Sequence, residues 1–543
     1  MFGNNIYTQA QTKVQQYFRN PIDSPMYLSG NFCQIRDGHF HYGLDLPTNN
    51  AEGWPITAVA DGYISRIFVA SYGYGNALFI THPNGLMSVY AHLRNFNEVL
   101  DDYTLNQHYK RQSNSLDIFP QKNILKVKKG DIIAYSGNSG GSTGPHLHFE
   151  IRNSKNELLN PQYFFDIPDT MPPVIGDVRF LYEKTISTVD FNDSGFVQGD
   201  TFYFPEGKIY LESEIYDRMI FEPNRLAPKS YSLYINNVKS FECEFNTYTF
   251  DQNKYVDTHI DYDAYWNTGK RFQKLYREIG SPMKFYKNNY SGFIQLKKGE
   301  TYEIRIEAVD FNGVKTQKNA ILKCSDTIYL EGFFKFTGSP RFHIDPKLAL
   351  KIISTDSFMQ IGIAGNTFLE KTTMDIHGYE NSNMYLVYLN EGSHKPFLKP
   401  ILLKIKLSDS FKNMNTSKLY IGYQIENSKG IYCGGKVNNQ YIQTPISIPG
   451  NYFIGIDTLP PTIQLDSSAS NYISFNIKDD LSGIGYYKAT IDGMFALVSY
   501  DAKNNKLIIK KNKNTPLGKH LLKILIADKK QNYNSWEGAV VFE

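Results

Sequence analysis

Two stretches decide how this chain folds: Gly38-His-Phe-His-Tyr-Gly-Leu-Asp-Leu46 and, further on, Pro145-His-Leu-His-Phe-Glu-Ile151. In the first, His39, His41, Gly43 and Asp45 alternate with Phe40, Tyr42, Leu44 and Leu46. In the second, His146, His148 and Glu150 alternate with Leu147, Phe149 and Ile151. Period-two alternation marks a strand with one apolar and one polar face. A helix would also bring positions 41 and 45 together. Phe40, Tyr42, Leu44 and Leu46 form no single helical stripe, however, so both stretches read as strands. His41 and Asp45 then share one face, with Gly43 clearing the space between them. His146, His148 and Glu150 share another.

The segment Ser136-Gly-Asn-Ser-Gly-Gly-Ser-Thr-Gly144 precedes the second strand. Glycines without Cβ let backbone come close to a neighbour. No Gly-Lys-Ser/Thr ending is present and a strand follows instead of a helix, which argues against a phosphate loop. Two histidines and a carboxylate suit zinc, whose catalytic sites use three protein ligands and leave a fourth position to water. No Cys-x-x-Cys pair offers a thiolate site. Spacing alone leaves two readings open, a metal site or ordinary core and surface histidines.

Further residues carry a resemblance. The pair His41-x-x-x-Asp45 and Gly144-Pro-His-Leu-His-Phe-Glu150, with Tyr90-Ala-His92-Leu between them, resembles the LytM/lysostaphin-type zinc endopeptidases, which cleave peptide cross-links of peptidoglycan. The likeness covers roughly residues 20–165. It includes Phe32-Cys-Gln-Ile-Arg36, Val59-Ala-Asp-Gly-Tyr-Ile64, Tyr74-Gly-Asn-Ala-Leu-Phe-Ile80 and Val127-Lys-Lys-Gly-Asp-Ile-Ile-Ala134. It implies one zinc ion per chain, held by His41, Asp45 and His148. It implies that His146 activates the attacking water and that His92 stabilises the developing charge. By alternation Ser88, Tyr90 and His92 form the polar face of a strand, which places Tyr90 beside the site. His39, on the His41 face, is a cleft wall, a support behind the ligands or an alternative ligand, with the cleft wall favoured, and Glu150 either supports His148 or faces solvent. Residues 94–126 form a long excursion in which Asn97–Arg111 is compatible with a polar helix.

The chain has 543 residues, too many for one domain. Net charge is +3, so nothing points to nucleic acid or an anionic membrane. Aromatic residues reach 15%, with 40 Tyr and 36 Phe, which favours β structure. Cys33, Cys243, Cys324 and Cys433 are scattered and form no disulfide framework, although a pair such as Cys243 with Cys324 stays open. No run of 18 apolar residues marks a transmembrane helix. Met1–Ala10 lacks a basic and apolar leader pattern. A wall hydrolase needs export, so the expectation is a periplasmic or secreted protein whose signal peptide was removed.

After Phe165 the character changes. Asp169-Thr-Met-Pro-Pro-Val-Ile175 recurs as Asp457-Thr-Leu-Pro-Pro-Thr-Ile463, and double prolines mark linkers. Ile306-Glu-Ala-Val-Asp-Phe-Asn-Gly313 resembles Ile524-Leu-Ile-Ala-Asp-Lys-Lys-Gln531, and Asp479-Asp-Leu-Ser-Gly-Ile484 adds a turn. These runs resemble bacterial immunoglobulin-like β-sandwiches. The expected fold is mainly β. An extension over 1–19 precedes a β-sheet or barrel-like peptidase domain over 20–168 with a helical insert. Immunoglobulin-like sandwiches follow over 169–325 and 457–543, with another β-sandwich over 326–456. The expected function is a zinc endopeptidase acting on peptidoglycan stem peptides. The rivals are a non-catalytic regulator of another wall hydrolase on the same fold, and an envelope binding or adhesion protein.

Overall fold

The computed structural model describes residues 17–122, 124–169, 171–182, 188–189, 200–219, 222–287, 292–324, 342–354, 358–379, 383–389, 393–411, 414–425, 429–469 and 471–543. The N-terminal extension expected over 1–19 lies mostly outside these residues. Among the described residues the chain is mainly β, as expected.

Five strands of a nine-stranded sheet surround the two motifs: β1 (Leu44–Pro47), β2 (Gly62–Val69), β3 (Asn76–Thr81), β4 (Met87–Leu93) and β5 (His146–Arg152). They run in the order β2-β3-β4-β5, all antiparallel, with β1 on the outer edge of β5. Asp45 is paired with His148 across β1 and β5, so the two halves of the motif meet by strand register. Leu147, Phe149 and Ile151 point into a core shared with Leu44, Leu46, Ile80 and Tyr90. A small three-stranded sheet closes the other side of that core with Ile56, Phe96, Ile133 and Ala134. The polar excursion forms helix α1 (Glu98–Arg111). Its N-cap Asn97 accepts from the Leu100 N–H at 2.9 Å, satisfying one orphan donor of the first turn.

Each double-proline segment leads into a strand, Val174–Tyr182 or Thr462–Ala469. Three pairs of sheets follow, each pair enclosing one apolar core: residues 174–324, 342–456 and 462–542. The first sandwich is fused to the N-terminal domain. Leu158–Leu159, on the edge of β5, pairs with Thr247–Tyr248 and carries the sheet across the boundary. Phe32 and Phe40 are buried in the sandwich core beside Tyr248 and Phe285. The four cysteines form no disulfide with one another, so the pairing of Cys243 with Cys324 does not form.

His259 sits in that shared core with no exposed surface. Its ring nitrogens meet the hydroxyls of Tyr231 at 3.1 Å and Tyr286 at 2.8 Å, and its ring packs on Phe40. Burial, with the nearby Lys274 charge, pulls its pKa down to about 3. The folded state therefore keeps His259 neutral, while the unfolded chain protonates it below about 6.5. Its contribution is complete above that pH and is lost as pH falls toward 3. The melting temperature is expected to drop between pH 7 and pH 4, and His259→Gln, which cannot take a proton, should flatten that slope. An identical slope in the variant would place the acid sensitivity elsewhere.

Candidate metal centre

Three atoms converge at the centre of the sheet face. Asp45 Oδ1 lies 3.0 Å from His41 Nε2 and 2.9 Å from His148 Nδ1, and those two nitrogens are 3.0 Å apart. His146 Nε2 approaches the same oxygen at 3.4 Å. His41, Asp45 and His148 form the group able to hold a metal ion, all three buried.

The protonation of the rings follows from their outer partners, because a carbonyl oxygen only accepts. His41 Nδ1 donates to Asn31 O at 2.9 Å. His146 Nδ1 faces Gly144 O at 2.8 Å and His92 Nδ1 faces Ser139 O at 2.8 Å. His148 Nε2 donates to Glu150 Oε1 at 3.0 Å. Each neutral ring therefore turns a bare nitrogen inward: Nε2 of His41, His92 and His146, and Nδ1 of His148. Metal-binding histidines are held this way, with the far N–H on a carboxylate or carbonyl. Ligands on a tetrahedral zinc lie about 3.3–3.5 Å apart, given bond lengths of about 2.0–2.2 Å. The observed group is a few tenths of an ångström tighter. Two imidazole nitrogens and one carboxylate oxygen match a borderline-soft divalent metal.

Electrostatics agree. Burial alone would lower His148, yet its bonds to Asp45 and Glu150 outweigh this and hold it up at about 9. Burial works against the Asp45 carboxylate, but the positive charge that His41, His146 and His148 can carry beside it holds it well below its usual range. The centre thus demands a positive charge, a proton or a metal, between Asp45 and His148. Burial drives His41 down to about 4. Burial, with the charges of His148 and His146, takes His92 to about 3, so His92 is neutral.

Supporting residues come from several elements. Glu150 is fully buried and does not face solvent. It accepts from His148, from Tyr74 OH at 2.6 Å and from Arg152 Nε at 2.8 Å. The Arg36 guanidinium binds the second oxygen of Asp45. Gly43 allows β1 to approach β5, since a Cβ there would lie 2.1 Å from Phe149 O. The glycine loop serves a similar purpose: a Cβ on Gly140 would meet Gly75 N at 2.3 Å. Packed there, the loop presents the Ser139 and Gly144 carbonyls to His92 and His146. Lys503 of the last sandwich holds the loop through Asn138 and, at 3.0 Å, through Ser142 O.

Tyr90 corrects the alternation read from β4. Ser88 and Tyr90 are buried in the core, where the Tyr90 hydroxyl bonds Val59 N and Ser88, while Val89 and Ala91 lie opposite. His148 is paired with Ala91, so the centre lies on the Val89 and Ala91 face. His92 would point into the core by strict alternation. The register between β3 and β4 shifts at this point, and His92 adopts a left-handed φ of 59°. This bulge swings its ring to the centre, 4.9 Å from the His146 ring. His39 stays partly exposed beside Tyr42 and is not in the converging group. Asn31, Arg36, Tyr74 and Arg152 were given no role in the sequence reading. Arg36 and Tyr74 lie in stretches that carry the resemblance, and Arg152 is the next step of the His148, Glu150 alternation.

Residues 39–107 and 102–161 match the model of Peptidase family M23. The DD-carboxypeptidase/endopeptidase Mpg of Neisseria meningitidis serogroup B is 36% identical over 121 residues, 22% of each chain. The glycyl-glycine endopeptidase ALE-1 of Staphylococcus capitis is 33% identical over 132 residues, 24% of this chain and 30% of the relative. Lysostaphin of Staphylococcus simulans is 32% identical over 115 residues, 21% of this chain and 18% of the relative. The chain thus spans between 18% and 30% of the length of these relatives. The resemblance read from the motifs holds for the N-terminal domain.

Replacing Glu150 tests the support of His148. Glu150→Gln keeps the shape and removes the charge. Metal affinity is expected to fall about 10–100-fold, as for other outer partners of metal-bound histidine, with circular dichroism unchanged. Unchanged affinity by competitive chelation would show that Glu150 only packs.

Proposed function

We propose that this chain, whose N-terminal domain is of the M23 peptidase type, is a zinc-dependent endopeptidase that cleaves peptide cross-links of bacterial peptidoglycan. The carrying observation is the convergence of His41 Nε2, Asp45 Oδ1 and His148 Nδ1, with two more bare histidine nitrogens beside them. The relatives named above, which include a glycyl-glycine endopeptidase and a carboxypeptidase/endopeptidase, support the reaction class. The substrate lies outside the cytoplasm, so this reading requires export to the periplasm or the medium.

His41, Asp45 and His148 would hold the zinc ion. Zinc bound there supplies a Lewis acid for the scissile carbonyl and lowers the pKa of a bound water to about 7. His146 is the general base. Its side chain is 15% exposed, against 2% for His41 and 5% for His148, so it meets incoming substrate. The Gly144 carbonyl fixes its Nδ1–H, leaving Nε2 to take a proton from the attacking water and return it to the leaving amine. For His92 the resemblance implies stabilisation of the developing charge; with its proton on Nδ1 facing Ser139 O, the neutral ring turns an acceptor, Nε2, to the centre. In that form it would accept from the water's second proton or the scissile N–H and so orient the reactants.

Purified protein should carry one zinc per chain and release monomers from cross-linked peptidoglycan dimers. His146→Ala should lower kcat/KM by about 10²–10⁴-fold with zinc retained, and His92→Ala should do likewise. His41→Ala should lose both zinc and activity. A protein that binds zinc yet leaves peptidoglycan intact would be a regulator on the same fold, and the endopeptidase reading would fall.

A further inference from the structure

The repeated double-proline segments and the repeated aspartates play no part in the metal centre, yet the fold brings them together. Asp457 stands five residues before Thr462, which pairs with Lys478; Asp479 is the next residue. Asp528 ends the strand Gly518–Asp528. Carboxylate oxygens of Asp457, Asp479 and Asp528 lie within 4.8 Å of one another. The cluster sits at the joint between the second and third sandwiches: Asp457 N–H bonds Lys418 O at 3.0 Å, and Lys530 Nζ bonds Gly435 O at 2.9 Å.

Asp457 has no exposed surface, and its Oδ2 has no hydrogen-bond partner among the described residues. Ser482, in the loop after Asp479, also has a buried hydroxyl without a partner among them. A buried, unmatched carboxylate oxygen is costly. The ammonium groups nearby are engaged by carbonyls: Lys530 bonds Gly435 O, and Lys418 bonds Lys530 O and Gln531 O. Burial and the charges of Asp457 and Asp528 raise the Asp479 pKa.

The first joint repeats the arrangement. Asp169 stands five residues before Val174, which pairs with Tyr216, and Asp217 is the next residue. Asp310 follows the strand Thr301–Val309. The turns match as well. Asp310 N–H bonds Val314 O and its Oδ1 accepts from Val314 N; Asp528 N–H bonds Asn532 O and its Oδ1 accepts from Asn532 N. Asn312 Nδ2 donates to Asp169 O, and Asn532 Nδ2 donates to Asp457 O. Asp310 is fully buried, and its Oδ2 has no partner among the described residues. Burial, Asp169 and Asp310 push Asp217 up to about 8.

We infer that Asp457, Asp479 and Asp528 bind a calcium-class divalent cation at the joint between the last two sandwiches. The donors are all oxygens, which selects a hard cation over zinc. Oxygens about 2.3–2.6 Å from calcium lie at most about 5 Å apart, as these do, whereas magnesium demands a tighter octahedron. Three carboxylates leave room for water to complete the shell.

The test is a calcium titration of the full-length, zinc-loaded protein, with EGTA defining the calcium-free state. Wild type should bind calcium with a Kd of about 10⁻⁴–10⁻³ M, the weak end of protein calcium sites, and its melting temperature should rise. Asp457→Asn should lose one bound calcium and most of that rise. Without calcium, the variant should be as stable as wild type or more so, because one repelling charge is gone. Asp479→Asn, at a more exposed position, should behave the same way. The inference is overturned if wild type binds no calcium. It is overturned equally if the variants bind as many ions as wild type, or are destabilised by the same amount with and without calcium.

Discussion

Three acceptors that repel one another are held within hydrogen-bond distance, and much of the N-terminal domain serves to keep them there. Asp45 Oδ1, His41 Nε2 and His148 Nδ1 have no proton of their own to share once the outer partners have fixed each neutral ring. Strand pairing sets Asp45 against His148, and a glycine at 43 lets the strands close. Asn31, Glu150 and Arg36 then lock the three groups from outside. Such a cluster calls for a positive charge at its centre, a proton on His148 or a metal ion. The fold thus gathers negative charge at one point, and the rigidity that keeps the acceptors together also fixes the geometry an ion would meet.

The same logic explains why the domain does not stand apart from the first sandwich. Phe40 precedes His41 and is buried against Tyr248 and Phe285 of the sandwich core. Asn253 accepts from Phe40 N–H at 2.8 Å, and Tyr248 OH donates to Phe40 O at 3.0 Å. The backbone that carries one proposed ligand is therefore tied on both sides by another domain. A buried Phe contributes about 1.5–3 kcal/mol, and loss of that packing acts directly on the residue beside it.

Alternation in the two motifs was enough to read β1 and β5, because each strand buries one face and leaves titratable side chains on the other. The register that joins them, Asp45 to His148, depends on contacts between segments far apart in sequence. The same alternation misled at β4. Ser88 and Tyr90 look like a polar face shared with His92, yet both are buried and satisfied by each other and by Val59 N. A single bulge inverts the face, and nothing in Tyr90-Ala-His92 announces a left-handed residue. Helix α1 was legible from its polar, helix-compatible composition. Asn31 and Arg36 were not, since a backbone carbonyl or a lone guanidinium carries no periodic signature. The repeated aspartates were visible as a repeat, but their meeting at each joint required the hairpin register.

The last sandwich returns to the metal centre although it is the most distant in sequence. Lys503 grips the loop at Asn138 and Ser142, Tyr109 of α1 meets Asn512 at 3.3 Å, and Asn114 Oδ1 accepts from Val498 N at 3.1 Å. A cavity of about 530 Å³ lies between these elements, bordered by α1, the glycine loop and Tyr500. Part-exposed hydrogen bonds of this kind contribute about 0.5–1.5 kcal/mol each, so contact alone holds the sandwich only modestly. Its position is also set at its other end, where Asp457 and Asp528 join it to its neighbour. Stiffening that joint narrows the range of orientations the sandwich samples and so lowers the entropy lost when Lys503 docks. A charge cluster at the joint and a carbonyl beside His146 are thereby linked through one rigid domain, with no need for contacts between them.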